Sequence, residues 1–473
     1  MRTAALVGGG FLALGIGVLA QSPSAAPPDQ SPSHELATSV ADGFTVASVG
    51  DCIIARPVSQ TPGFAAIERL IQAADVAFGN FEGTALDLAR VHAVPQAEFG
   101  GVWIIGAPSV AADLKTMGFD VMSRANNHAT DWGLEGMRAT DSALDEAGIV
   151  HAGSGENRAA ARAARYFDTP KGRVALVSVA STFTPLSRSA PPAGQAAGRP
   201  GVNALRTTRY ALVTPAELAM LRTIRDQQPP GSIRIPEKEP ADEVALFGVH
   251  YKSAERRGFT YRMDPVDERE ILKSIRSAKQ FADFVIVTIH AHEPGNWSEQ
   301  PADFLPTLAH EAIDAGADEF IGHGPHQLRG IEIYHGRPIF YSLGNFIFQL
   351  DLLEPVGSDL YEQYNIDPAT ATDADFDATW NRLIFGDGVW YQSLVATTRF
   401  QEGRAVEIRL HPIDLSYTAR GADRGVPRPA SPDVAQVILD RVRRLSQPFG
   451  TQVTIEHGEG VIRPAGEPAS MRR

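Results

Sequence analysis

Ile321-Gly322-His323-Gly324-Pro325-His326 carries an apolar residue into a tight turn of small residues that holds two imidazoles. Outward from it, four more short motifs have the same form: Val49-Gly50-Asp51, Gly79-Asn80-Phe81-Glu82, Asn126-Asn127-His128-Ala129-Thr130-Asp131 and His290-Ala291-His292-Glu293. Each comes where a hydrophobic strand should end. Carboxylates, amides and imidazoles gathered at one sheet edge are the usual materials of a two-metal hydrolytic centre.

The segments between the motifs alternate in period. Residues 44–49, 75–78, 119–123, 173–179, 284–289 and 319–321 read as strands, the fifth nearly all apolar. Residues 63–74, 108–117, 134–147, 266–281 and 304–315 read as helices; the first is amphipathic through Ile67, Leu70 and Ile71. Such alternation implies a mostly parallel core with helices on its faces, where ligands gather at the carboxyl ends of strands. The last third changes character. Residues 331–334 with 339–342, and 391–400 with 406–410, read as hairpins that complete a second sheet, followed by a helix at 436–445 and an edge strand at 453–455. A two-sheet sandwich flanked by helices is the architecture expected. Residues 185–200, 227–240 and 351–387 break the rhythm and read as irregular loops that could rim a polar substrate.

Composition narrows the function classes. The chain has 473 residues and a formal net charge of −13 with no long Lys/Arg block, which argues against nucleic acid as a partner. Residues 1–20 carry one positive charge and a short apolar run ending Val18-Leu19-Ala20. They read as a cleavable signal that sends the protein to the periplasm or outside the cell, the alternative being an uncleaved anchor. Residues 21–42, rich in Pro, Ser and Ala, read as a disordered linker, and the mature chain shows no membrane span. The lone Cys52 cannot form an internal disulfide and reads as a small buried residue rather than a ligand.

Taken singly, each candidate has an ordinary structural reading. Asp51 suits a turn, Asn126-Asn127 a turn before a helix, and any one histidine a hydrogen-bonded place in the core. Taken together, one bimetal site accounts for all of them. Asp51 supplies a hard oxygen ligand, and Asn80 and Glu82, two apart on a strand, face one side. Asn127 is a neutral ligand, while His128, oriented by Asp131, is placed to protonate a leaving oxygen. His290, His323 and His326 are further ligands, with His292 an additional one. Arg124 and Arg329 are candidates to recognise a substrate carboxylate or phosphate.

The order of these motifs resembles that of the capsule-synthesis CapA proteins, associated with poly-γ-glutamate capsules, within the calcineurin-like metallophosphoesterase superfamily. The resemblance spans residues 44–421 and is strongest at 126–136 and 310–348, where Gly322-His323-Gly324-Pro325-His326 and Tyr341-Ser342-Leu343-Gly344-Asn345-Phe346 look like family hallmarks. It implies an α/β fold, the calcineurin-like αββα sandwich of two mixed β-sheets flanked by helices, over residues 43–421, with 422–473 packing on it. It also implies two divalent ions, Mn, Fe or Zn. Asp51 resembles the first-strand ligand, Asn127 the second-metal ligand, His128 the acid that assists the leaving group, His290 the lone histidine ligand, and His323 with His326 the closing pair. The chain departs from the superfamily in having Ile53 where a histidine is usual and Asn80 where a bridging aspartate is usual. Glu82 and His292 then stand as replacement ligands. The implied activity is hydrolysis of an anionic polymer or a phosphoester, alongside envelope polymer-synthesis proteins. A polymer-binding module without catalysis is the other reading.

Overall fold

The computed structural model describes residues 38–95, 102–233 and 238–464. The expected signal at 1–20, and the linker up to residue 37, lie outside these residues.

Two mixed sheets pack face to face. The first, of ten strands, has Phe44–Ile53 at its centre. Val76–Phe81, Val121–Ser123 and Val150–Ala152 follow in parallel on one side. The antiparallel hairpin Gln392–Gln401 with Arg404–Asp414 lies on the other, extended by Glu459–Ile462 and the edge strand Thr454–Glu456. Asn345–Phe348 pairs with the far end of the central strand. The second sheet, of six strands, places Phe284–His290 between Gly172–Ala180 and Glu319–His323, all parallel, and ends in the hairpin Ile331–Tyr334 with Arg337–Phe340.

Alternation of side chains along each strand builds the layers. Phe44 and Val46 meet Phe284, Ile286 and Ile321 in the space between the sheets, whereas Ala47 and Val49 face outward. Outward residues of the first sheet pack on the helices Ala65–Gln72, Ser109–Met117 and Gly133–Ala147. Val285, Val287 and Ile289 of the second pack on Pro265–Phe281 and Phe304–Asp314. The result is the αββα sandwich expected, and the second hairpin, at 392–414, joins the first sheet rather than the second.

Two parts differ from the sequence reading. Thr207–Val213, Glu243–Leu246, Val249–Ser253 and Gly258–Met263, where no strands were anticipated, form a four-stranded sheet of their own, covered by the helix Pro215–Asp226 through Leu218, Val244 and Leu246. Residues 351–387 are not an irregular loop: they contain the helices Ser358–Gln363 and Asp373–Ile384, whose Tyr361, Phe376 and Trp380 enter the first sheet's outer core. Among the described residues no helix is long and apolar enough to cross a membrane.

Candidate metal centre

Strand register sets two rows of polar side chains opposite each other. In the first sheet Asp51 stands level with Asn80 on one side and Asn345 on the other, and Asn80 is level with Ser123. In the second, His290 stands level with His323. A bulge explains how Asp51 joins its row. Even-numbered residues of the central strand point between the sheets up to Ser48, and the register shift between Ser48 and Asp51 turns the odd-numbered Asp51 to the same side. Gly50 makes this passage possible, since a β-carbon there would lie 1.8 Å from the Gly344 carbonyl oxygen. Cys52 consequently faces the outer core and takes no place in the centre.

Asp51 and Glu82 are both fully buried, and they are served very differently. Asp51 Oδ1 accepts from Asn80 Nδ2 at 2.8 Å and Oδ2 from the Gly324 amide at 3.0 Å. Burial pushes its pKa up to about 6 against these bonds. Neither oxygen of Glu82 has a hydrogen-bond partner. Burial, then the neighbouring Asp51 and Asp131, push its pKa well above the usual carboxylate range.

The imidazoles close round these oxygens. His323 Nδ1 lies 3.4 Å and His290 Nδ1 3.9 Å from Asp51 Oδ1, and His326 Nδ1 lies 3.6 Å from Asp51 Oδ2. His290 Nε2 and His326 Nε2 lie 3.8 and 3.9 Å from Glu82 Oε1. His290 also faces His323, Nδ1 to Nδ1, at 3.0 Å, and His292, Nε2 to Nε2, at 2.9 Å. Burial drives all four pKa values down, to about 3 for His292 and His323 and well below the usual value for His290 and His326. The rings are therefore neutral and carry the lone pairs a metal needs. His326 adopts a left-handed backbone, φ 58°. Asn345 fixes it at both ends, meeting the ring Nδ1 at 2.9 Å and donating to its carbonyl at 3.1 Å.

His128 stands beside this cluster. Its Nδ1 meets Asp131 Oδ2 at 2.7 Å, and its Nε2 lies 3.8 Å from Glu82 Oε1. Asp131 is itself anchored by the Ile104 amide at 2.7 Å. Asn126, which the sequence reading left without a role, donates to Asn80 Oδ1 at 3.2 Å and to the Phe81 carbonyl at 2.8 Å. Held by Asn126 at its oxygen and donating from its nitrogen to Asp51, Asn80 orients the acid beside it, and its oxygen keeps a second lone pair.

Arg124 and Arg329, expected as substrate-binding groups, are fully buried and donate to backbone carbonyls. Arg124 donates to the carbonyls of Phe81 and Gly83, on either side of Glu82, at 3.1 and 2.9 Å, and pairs with Asp141 at 3.2 Å. Arg329 donates to the carbonyls of Ser298, His292 and Gly295 at 3.2, 3.5 and 3.4 Å. Each arginine thus fixes a turn that bears a candidate ligand, and no sequence signal connects them to those carbonyls.

A cavity of about 270 Å³ opens against Asn127, His128, His292 and His326. Ile53 lies in its wall, so the position where a histidine was expected contributes an apolar surface.

The donor set suits divalent cations. Asp51 with His290 and His323, Glu82 with His290 and His292, and Asp51 with Glu82 and His326 each bring three ligand atoms within 4.8 Å of one another. The bare carboxylate of Glu82 and the unpartnered Nε2 of His323 are buried polar atoms that need such a partner.

The model of the bacterial capsule synthesis protein family PGA_cap matches residues 45–350. Protein y4sH of Sinorhizobium fredii is 50% identical over 440 residues, covering 90% of this chain and 94% of its own length. The capsule biosynthesis protein CapA of Bacillus anthracis is 26% identical over 335 residues, covering 69% of this chain and 65% of its own. Among solved structures, a phosphatase from Mycoplasma pneumoniae aligns over 80% of this chain and 98% of its own with 9% identity and a TM-score of 0.35, too remote to argue from.

Proposed function

The chain belongs to the bacterial capsule synthesis protein family PGA_cap, and from that premise we propose that it is an exported, metal-dependent hydrolase that processes an envelope polymer or a phosphoester during capsule synthesis. One observation carries the catalytic part: the unpartnered, buried carboxylate of Glu82 lies under 4 Å from His290, His326 and His128 at once. Export rests on the sequence pattern of residues 1–20.

Asp51, Glu82, His290, His323 and His326 would hold a pair of divalent ions, Mn, Fe or Zn, with His292 as a further ligand and Asn127 at the cavity side. Such ions supply Lewis-acid polarisation and an activated water near neutral pH. The protein's own part is to position and to move one proton. Asn80 and the Gly324 amide hold Asp51 in one orientation. Asp131, accepting from His128 Nδ1, leaves Nε2 facing the centre to pass a proton to the leaving group.

The test takes the purified full chain, measures bound metal, and assays an aryl phosphodiester and poly-γ-glutamate after reconstitution with each metal. Bound metal, with cleavage of either substrate that is lost in His128→Ala, is the expected result. A chain that retains no metal and cleaves neither is a binding module of the polymer machinery instead.

A further inference from the structure

The cavity beside the centre has a chemical character of its own. Away from the imidazoles and the polar Asn127, Thr182 and Asn296, its wall includes Ile53, Ile104, Tyr364, Trp380, Ile384 and Phe385, and among the described residues no Lys, Arg, Asp or Glu lines it. Four of these six belong to the 351–387 segment, whose two helices bring Tyr364, Trp380, Ile384 and Phe385 over the His326 side. Phe385 packs edge-on against His326 with ring centroids 5.5 Å apart, and Trp380 packs against Phe385 at 5.5 Å. Trp380 is buried, and its indole N–H has no hydrogen-bond partner.

A carboxylate entering the part of this space away from the imidazoles would leave water without meeting a charged side chain among the described residues, at a cost that an apolar group does not incur. An aryl or alkyl group would instead cover apolar wall. Resting on the hydrolase reading above, we propose that the substrate carries an uncharged aryl or alkyl group next to the bond it presents to the centre, and that this group occupies the aromatic cavity. A run of free glutamate side chains does not enter it. If the substrate is an anionic polymer, the group cut from it is an uncharged attachment or end group.

Non-hydrolysable phosphonates test this without turnover. Affinities of methylphosphonate, phenylphosphonate and phosphonoacetate for the metal-loaded full chain are measured by calorimetry. Phenylphosphonate is expected to bind about ten-fold or more tightly than methylphosphonate, from the apolar area it covers. Phosphonoacetate is expected to bind no more tightly than methylphosphonate. Ile384→Lys, at a cavity position that is 37% exposed and so tolerates a charge, should weaken phenylphosphonate and strengthen phosphonoacetate. The proposal is overturned if phenylphosphonate gains nothing over methylphosphonate, if phosphonoacetate is the tightest ligand of the unsubstituted protein, or if no phosphonate binds. The order among ligands of the unsubstituted protein decides this even where Ile384→Lys fails to fold. The expected order without cleavage of any ester or amide would uphold the cavity's preference and overturn the hydrolase reading alone.

Discussion

Asn80 donates its side-chain N–H to Asp51 Oδ1 at 2.8 Å from the neighbouring strand, in register. An amide at this place lets a buried acid stand beside it without charge repulsion. Asn80→Asp should therefore lower the melting temperature of the metal-free protein and enlarge the rise in melting temperature on adding Mn or Zn. Thermal melts with and without metal measure both. A variant whose metal-induced rise is no larger than that of the parent would contradict this arrangement.

Arg124 acts at one remove. By holding the carbonyls on either side of Glu82 it fixes the turn that aims the bare carboxylate. Lysine cannot reach both carbonyls and Asp141 together. Arg124→Lys should weaken metal binding about 10- to 100-fold, the usual range for groups that orient ligands. Calorimetric metal titration gives the affinity, and circular dichroism shows whether the fold is kept. Unchanged affinity in a folded variant would reduce Arg124 to a structural ion pair.

The division of labour between His128 and Asp131 has its own signature. Asp131→Asn should leave the metal content unchanged and lower turnover about 10²- to 10⁴-fold, as expected for loss of proton-transfer geometry. Metal analysis and steady-state rates on the same preparation separate the two effects. Loss of metal in parallel with rate would place Asp131 among the structural supports of the centre.

Glu319 gives a pH test away from the centre. It is fully buried between the sheets, accepts from Ser48 Oγ at 2.9 Å, and burial raises its pKa from 4.5 to about 8. The folded state thus binds a proton more tightly than the unfolded one. The resulting stability is fully present below pH 4.5 and is lost as pH rises through 8, by an amount on the order of a few kcal/mol. Glu319→Gln removes this dependence. Its melting temperature should exceed that of the parent increasingly from pH 6 to 9, and parallel profiles would count against a buried, neutral Glu319.

Much of this was legible in the sequence because the central strands are nearly pure examples of their type. The apolar run 284–289 and the turn after Ile321 could end only at a sheet edge, and the two histidines that stand level there are the ones the motifs picked out. The bulge that turns Asp51 inward leaves no trace except Gly50, so its orientation could not be read. The helices at 358–363 and 373–384 were hidden by acidic composition, although Thr372 and Asp375 form a capping box that a closer look at local signals would have found. The small sheet at 207–263 has short, half-exposed strands, and its helix Pro215–Asp226 is announced by a similar box at Thr214 and Glu217. The contacts of Arg124 and Arg329 could not be read because a buried guanidinium and an exposed one have the same letter. Their partners are backbone carbonyls that composition cannot reveal.

The hydrogen bond from the Gly324 amide to Asp51 joins residues 273 positions apart. A ribosome synthesises the first half of the centre long before the second, and the strand that bears Asp51 finds its partners Asn345–Phe348 and Gln392–Gln401 only near the end of the chain. Asp51 and Glu82 must wait, uncapped, until the turn at His323 and His326 has been made. An ion held by Asp51 or Glu82 together with these histidines could therefore bind only once the second sheet is complete.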